Sequence, residues 1–138
     1  MKRVVGPGGF FIKVKDREKL QQWYERHLGV EFDGYNSMKF QMNEDGENPK
    51  ESYVLISMFK EETDYFGPHG HSFMFNFRVD DLDRVVAELE AEGVDVLPER
   101  EDGDYGKFAW IFDPEGHKIE LWEPPLKAAL AETDQNTL

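Results

Sequence analysis

The stretch FNFRVDDLDRVVAELEAEGVDV, residues 75–96, contains the end of a strand, a capped helix and the start of another strand. From Phe73 to Val79, Phe and Val alternate with Met, Asn and Arg, which is the period of a half-buried strand. Asp81 then stands at a helix N-cap, and the apolar residues after it recur at helical spacing. Gly93 is a stop signal for this helix. The segment Val94–Leu97, in which three of the four residues are apolar, predicts a short strand.

Two more strands complete this half of the chain. They are predicted at Lys107–Phe112 and His117–Trp122, and the turn Asp113–Gly116 separates them, because Pro and Gly stand there in positions that turns favour. The second half is therefore predicted to be a β-α-β-β-β unit.

The first half repeats this order of elements. Asp16 caps a helix over Arg17–Leu28, and Gly29 ends it. Val14-Lys15-Asp16 matches Val79-Asp80-Asp81, and Gly29-Val30-Glu31-Phe32 matches Gly93-Val94-Asp95-Val96. Strands are predicted at Gly9–Val14, Val30–Phe32, Met38–Met42 and Tyr53–Phe59. One face of the helix carries Leu20, Trp23, Tyr24 and Leu28, of which Trp23 and Tyr24 are expected in the core.

The repeat predicts an α+β fold, in which two tandem βαβββ modules form one mixed sheet with the helices on its outer face. Residues 1–125 are expected to form a single domain, with module one at about 8–60 and module two at about 71–124. Residues 126–138 are expected to be a C-terminal tail.

Alternation along the strands indicates what the inner face of this sheet contains. In the strand from Phe73 to Val79, the Phe and Val side is expected to meet a helix, which leaves Met74, Asn76 and Arg78 on the concave face. By the repeat, Phe11 and Lys13 share that face. Since Lys and Arg are not usual core residues, the concave face is expected to be partly wet and to form a cavity.

The composition of the chain excludes several classes of function. The 138 residues carry a formal net charge of −13 and contain no Cys, which excludes thiolate metal sites and disulfides. Phosphate would be repelled by such a surface, so nucleic-acid binding is not expected. No run of ~20 apolar residues occurs, so membrane insertion is not expected either and a cytoplasmic location is predicted.

Three stretches resemble one known superfamily. GGFFIKVKDREKLQQWYERHLGVEF, FNFRVDDLDRVVAELEAEGVDV and FDPEGHKIELWEP are similar to the vicinal oxygen chelate proteins, which comprise glyoxalases, bleomycin resistance proteins and ring-cleaving dioxygenases. The resemblance spans about residues 9–124. It implies a U-shaped sheet around a cavity, commonly a homodimer, and in the enzymes a divalent metal that acts as a Lewis acid. Lyase and dioxygenase activities are among those that it implies.

The resemblance also implies four metal-ligand positions, of which this chain fills one. Glu120 lies in the Ile-Glu-Leu context of the last strand. The positions in the first strands of the two modules are Gly9 and Met74, and Tyr53–Phe59 offers no acid, His or Gln. Because a hard divalent ion needs oxygen and nitrogen donors, no metal or other cofactor is expected. The alternative is a displaced metal at His69, His71 and Glu120.

The remaining candidates give two main functional hypotheses, beside a third in which the protein is a scaffold or regulator that acts through its dimer surface. The first is a protein that binds a cationic or aromatic small molecule, with sequestration of that compound as one form of this role. Its predicted ligand-binding residues are Phe11, Lys13, Met74, Asn76, Arg78, Trp110 and Trp122. The second is an enzyme of the glyoxalase or dioxygenase type, which uses the displaced metal or uses Glu120 as an acid/base. A structural role for Glu120, paired with Lys13, Arg78 or Lys118, is the competing interpretation.

Overall fold

A computed structural model describes residues 3–42 and 52–126, which form one mixed seven-stranded sheet with two helices. The sheet order is β2-β3-β1-β4-β7-β6-β5. The elements are β1 (Val4–Val14), α1 (Arg17–Leu28), β2 (Ser37–Gln41), β3 (Tyr53–Lys60), β4 (Phe73–Val79), α2 (Leu82–Ala91), β5 (Asp95–Gly103), β6 (Gly106–Phe112) and β7 (Lys118–Glu123). The predicted α+β architecture of βαβββ modules is confirmed, and the sheet does not close on itself.

The two modules meet at the centre of the sheet. Their first strands, β1 and β4, are antiparallel neighbours, and Phe11 lies opposite Met74 in their register. On the outer sides, β1 pairs in parallel with β3, and β4 pairs in parallel with β7. In the β4–β7 register Asn76 lies opposite Glu120. The central pairings therefore bring polar residues of two strands together on one face.

The first half of β1 is irregular. Register shifts occur on both sides of the Gly6–Pro7 segment, and among the described residues β3 pairs with β1 only from Gly9 onward. Pro7 lacks a backbone N–H, and such a residue is tolerated at bulges and on strands with one free edge. The chain before β1 is held to α2 by Arg3, whose Nε donates to Glu88 Oε2 at 2.9 Å.

Both helices begin and end where the sequence predicts. Asp16 Oδ1 accepts from the backbone N–H of Lys19 at 3.1 Å, and Asp81 Oδ1 accepts from that of Arg84 at 3.2 Å. Gly29 ends α1 in the left-handed conformation at φ 69°, which a residue without Cβ adopts at little cost. No residue of α1, which is described over its whole length, is buried, whereas α2 buries Leu82, Val85 and Val86.

Several expectations about module one and the outer face are wrong. Val30–Phe32 is not a strand, and its apolar side chains pack against the cluster around Val14, Met38 and Met58 instead. Trp23 is not core, since 50% of it is exposed. Phe73 and Phe75 remain exposed, although this side of β4 was expected to meet a helix. The reason is that α1 packs on β3 and α2 on β5, β6 and β7, which leaves the outer face of β4 uncovered near its start.

The remaining differences concern element bounds. β1 starts at Val4 rather than Gly9, and β5 extends to Gly103, whereas the predicted strand ends at Leu97. The division into modules and the C-terminal tail stay predictions, and residues 127–138 of that tail lie outside the described residues. Neither described helix is long and apolar enough to span a membrane.

Candidate functional site

A cavity of about 310 Å³ lies on the concave face of the sheet. All seven strands contribute to its wall, so the sheet curves around it. The lining residues are Gly8, Phe11, Asp33, Tyr35, Ser37, Lys39, Tyr53, Leu55, Asn76, Glu101, Tyr105, Phe108, Glu120 and Trp122.

Glu120 is the buried carboxylate of this cavity, and three side chains donate hydrogen bonds to it. Asn76 Nδ2 donates to Oε1 at 2.6 Å, and Trp110 Nε1 donates to Oε2 at 2.9 Å. The hydroxyl of Tyr65 also donates to Oε2. The donors come from β4, β6 and the loop before β4, so the orientation of the carboxylate is fixed from three parts of the fold.

Burial and hydrogen bonding act on this carboxyl group in opposite directions. Burial raises the pKa of Glu120, whereas the bonds from Tyr65, Asn76 and Trp110 favour the anion and lower it, and burial has the larger effect. The pKa of Tyr65 is raised as well, first by burial and then by the nearby charge of Glu120. Glu120 is thus a carboxyl group that proton uptake can neutralise more readily than an exposed glutamate.

Asn76 and Gly8 lie side by side beneath the cavity. Asn76 is 4% exposed, and its Oδ1 has no hydrogen-bond partner within residues 3–42 and 52–126. A Cβ at residue 8 would lie 2.0 Å from Asn76 Oδ1 and 3.1 Å from Cε3 of Trp122. Only glycine therefore fits at position 8 while Asn76 holds Glu120.

Aromatic side chains form much of the cavity wall. The ring of Trp122 lies nearly parallel to Phe108, with centroids 6.4 Å apart, and contacts Tyr53 at 4.9 Å. Trp122 Nε1 donates to the backbone oxygen of Tyr105 at 2.7 Å, which fixes the indole plane. Rings held in this way can contact a flat ligand with little loss of conformational entropy.

Residues of both modules meet at the mouth of the cavity. Tyr35, which precedes β2, contacts Tyr105 of the β5–β6 turn edge to face, with centroids 5.9 Å apart. Asp33 and Glu101 also line the cavity, and both are exposed. Lys39 is the one basic residue among the lining residues. Its Nζ lies 4.1 Å from the ring centroid of Tyr53.

The predicted site residues divide into two groups. Glu120 lines the cavity together with Phe11, Asn76 and Trp122, and Trp110 reaches it through its bond to Glu120. Their predicted roles in ligand binding or catalysis stay predictions.

The other three predicted residues are not among those that line the cavity. Met74 is buried in a cluster with Phe11 and Phe66. Lys13 places its Nζ 5.6 Å from the ring centroid of Phe66. Arg78 is buried, and its Nη1 donates to Ser52 Oγ at 2.6 Å. These three side chains share the inner face but serve packing and internal bonding.

The residues at the expected metal positions do not fit a divalent cation. Gly9 has no donor side chain, Met74 offers only a thioether, and Glu120 is already bonded to three protein donors. Across residues 3–42 and 52–126, no group of three His, Asp or Glu side chains is placed to hold a metal ion.

The displaced set of His69, His71 and Glu120 is not assembled. The ring of His71 packs on His117, with centroids 4.2 Å apart, and both contact Phe73 on the outer face. His69 is exposed and contacts Phe112. His71 therefore lies on the face opposite Glu120, and within the described residues the three side chains do not form a group that could hold a metal ion.

Sequence reasoning missed several residues of the cavity. Tyr65 lies in the segment before β4, where apolar residues do not recur at strand or helix spacing. Nothing in the sequence therefore pairs it with Glu120. Strict alternation along β1 predicts Gly9 on the cavity face. The register shift between Pro7 and Gly9 interrupts this alternation, so Gly8 lines the cavity instead. Phe108 could have been predicted to line the cavity, because it lies two residues from Trp110 in one strand and so shares its face.

Comparison with known proteins agrees with this architecture. The profile of the Glyoxalase/Bleomycin resistance protein/Dioxygenase superfamily matches residues 7–121. Methylmalonyl-CoA epimerase from Mycobacterium tuberculosis is 22% identical, with 94% of each chain covered and a TM-score of 0.61. A variant of the Streptomyces coelicolor methylmalonyl-CoA epimerase, in complex with 2-nitronate-propionyl-CoA, is 15% identical over 88% of this chain and 98% of that one, with a TM-score of 0.62.

A third structure has a different reaction and a longer chain. The 2,3-dioxygenase LapB from Pseudomonas sp. KL28 is 22% identical over 90% of this chain but 42% of its own, with a TM-score of 0.56. At these identities the structural likeness establishes the fold alone. With a profile match that spans most of its length, the chain belongs to the Glyoxalase/Bleomycin resistance protein/Dioxygenase superfamily.

Proposed function

We propose that this protein binds a cationic or aromatic small molecule without a metal, and that it serves to sequester that compound. The observation that carries the proposal is the state of Glu120. Its carboxylate is bonded to Asn76, Trp110 and Tyr65 of the protein, at the position where the family resemblance implies a metal ligand.

The size and lining of the cavity support a small, flat ligand. About 310 Å³ is at the low end of the range for ligand pockets, which is roughly 300–1,000 Å³. Tyr53, Phe108 and Trp122 offer ring faces, and Lys39 already places a cation over one of them. An electron-poor or positively charged ring suits such a wall.

The acidity of the cavity distinguishes it from a site for an acidic ligand. One structural relative binds 2-nitronate-propionyl-CoA. Here Asp33, Glu101 and Glu120 line the cavity, and Lys39 is the one basic residue among the lining residues. A phosphate-bearing ligand would be repelled at this mouth, whereas a cation would be attracted.

Ligand binding is tested with a panel of cationic, neutral and quaternary aromatic compounds, by thermal shift and by tryptophan fluorescence. Phe108→Ala is expected to weaken binding about tenfold, since a ring contact is worth roughly 0.5–1.5 kcal/mol beyond its buried area. Phe10→Ala is the matched control, because Phe10 is an exposed ring on the outer face, where it contacts Phe75.

Two results would overturn the proposal. One is a panel in which no compound stabilises the wild-type protein or changes its fluorescence. The other is a stoichiometric metal in the purified protein, because none of the described residues would explain how it is held.

An acid/base enzyme is the second candidate, and the raised pKa of Glu120 favours it. In this case Glu120 would take a proton from a bound substrate and Tyr65, hydrogen-bonded to it, would hold the carboxyl in position. Glu120→Gln would then keep ligand affinity and lose turnover. Turnover of any panel compound that survives Glu120→Gln would exclude this role. The homodimer and the cytoplasmic location stay predictions.

A further inference from the structure

One aromatic ring of the cavity wall already binds a cation, which the protein itself supplies. Lys39 Nζ lies over the ring of Tyr53, 4.1 Å from its centroid, and both residues line the cavity. They are diagonal neighbours on the inner face, because Lys39 lies opposite Leu55, two residues from Tyr53. At this distance the negative face of the ring attracts an ammonium group. The contact shows which chemistry this part of the wall accepts.

Among residues 3–42 and 52–126, no other group holds the Lys39 ammonium in place. The structure gives it no carboxylate or carbonyl partner there, although the chain has 29 acidic residues against 16 basic ones. Lys107, by comparison, places its Nζ 3.3 Å from Asp83 Oδ2. Lys39 is exposed, and a lysine has a flexible four-carbon stem. Its ammonium can therefore leave the ring for water and give up only the contact with Tyr53.

A ligand cation and Lys39 cannot share this ring face. One face has room for one ammonium group, and two positive charges a few Å apart repel each other. Asp33 and Glu101 line the same cavity, so a ligand cation at Tyr53 lies in an acidic surrounding. The displaced ammonium of Lys39 is meanwhile hydrated by water at the surface.

We propose that the ring face of Tyr53 binds the cationic group of the ligand, and that Lys39, which occupies this position in the free protein, determines specificity by competing for it. The inference rests on the proposed function and deepens it by naming where the cation binds. A cationic ligand gains the ring face at the expense of the Lys39 contact. Its affinity for the wild-type protein is therefore lower than the wall alone would allow.

Removal of the competing charge is the first test. Lys39→Met keeps the length of the side chain and removes its ammonium, so phenethylammonium is expected to bind about tenfold more tightly than to the wild-type protein. The affinity for 2-phenylethanol, which has the same ring and no charge, is expected to change less than about twofold. Isothermal titration measures both dissociation constants, and circular dichroism establishes that each variant is folded.

Two further variants separate competition at Tyr53 from a general change of charge. Lys60→Met changes the net charge of the protein equally, at an exposed residue that does not line the cavity. It is expected to change the affinity for phenethylammonium less than about twofold, because salt screens distant charges. Lys39→Arg keeps a cation for the ring and is expected to bind phenethylammonium as the wild-type protein does.

The titrations distinguish failure of this inference from failure of the proposed function. A Lys39→Met protein that binds phenethylammonium no more tightly than wild type or Lys60→Met overturns the inference and leaves the proposed function standing. If neither the wild-type protein nor Lys39→Met binds this cation, the inference is overturned as well, and the wider panel decides the proposed function.

The displacement of Lys39 can also be observed directly by NMR. The protons beside the Lys39 ammonium lie near the ring face of Tyr53, so the ring current is expected to shift their resonance upfield. Lys39→Met identifies this resonance by its loss. Saturation of the wild-type protein with phenethylammonium should return it to the value of an exposed lysine. A resonance that stays shifted while the ligand is bound would show that the two cations do not compete, and would overturn the inference.

Discussion

The two modules share a plan but differ in how they are packed. In module two, α2 buries Leu82, Val85 and Val86 against β6 and β7. In module one, α1 has the same kind of cap and stop and yet buries none of its 12 described residues. Since caps and stops are local signals and packing depends on apolar surface, equal signals at helix ends do not imply equal burial between them.

The cavity depends on both modules, and its buried carboxylate comes from the better packed one. Glu120 and two of its donors, Asn76 and Trp110, belong to strands of module two. Module one supplies Tyr53, Leu55 and the charged residues around β2. Module two therefore supplies the buried, hydrogen-bonded part of the site, and module one supplies part of its wall and the charged residues around β2.

The largest effect is expected from truncation of a buried leucine in module two. Leu82→Ala should lower the free energy of unfolding by about 2–5 kcal/mol, because Leu82 is fully buried in the larger cluster. Leu20→Ala in α1 should cost less, since Leu20 is half-buried. Urea unfolding of both variants measures the difference. Equal losses would show that the modules are equally packed.

Loss of one donor to Glu120 should have the next largest effect. Tyr65→Phe removes the phenol hydroxyl and leaves the rest of the ring, so about 1–3 kcal/mol of unfolding free energy should be lost. Tyr24→Phe in module one is the matched control, as this ring packs against the Val14 cluster. A Tyr65→Phe protein as stable as the control would mean that the bond to Glu120 contributes nothing.

The pH dependence of stability should separate Glu120 from exposed carboxylates. Its folded pKa lies above the ordinary 4.5, so as pH rises through 4.5 the unfolded chain loses this proton before the folded protein does. The penalty on folding therefore grows as the pH rises from 4.5 to the folded pKa and stays constant above it, whereas Glu120→Gln has no such penalty. Relative to wild type, the stability of Glu120→Gln should therefore increase as pH rises above about 4.5. Chemical unfolding over a pH series measures this, and a constant difference would contradict the raised pKa.

The smallest effect is expected at Trp23. Because half of this side chain is exposed, Trp23→Ala should change the free energy of unfolding by about 0.5 kcal/mol or little more. A loss of about 3–5 kcal/mol, as for a buried aromatic residue, would show instead that the ring is covered in solution. Thermal unfolding at two protein concentrations distinguishes cover by a second copy from cover within one chain.

The repeat, the helix ends and the polar inner face could be predicted from the sequence, because each rests on local periodicity or on a capping residue. Asp16, Asp81 and Gly29 mark helix ends by their own chemistry. Alternation also placed Asn76 on the inner face, and the observed register pairs it with Glu120, which the family resemblance had singled out.

Other features depend on how distant parts of the chain are placed relative to one another, which no local pattern of residues specifies. Tyr65 reaches Glu120 from a loop, and Gly8 replaces Gly9 at the cavity because β1 is irregular there. The exposure of Trp23 and Phe73 follows from where the helices lie on the sheet, which the amphipathic pattern of one element does not specify. Met74 has the parity of a ligand-binding residue and is instead covered by Phe66.

The irregular first half of β1 also bears on how readily a strand of another chain could add to this sheet. From Val4 to Gly8 the strand has β4 on one side, and the described residues put no strand on the other. An unpaired strand edge is a template on which a strand of another chain can add. Pro7 removes one donor from that edge, and the register shifts around it disturb the regular spacing of the others. The segment that makes room for Asn76 at Gly8 is thus also a poor template for intermolecular β-sheet.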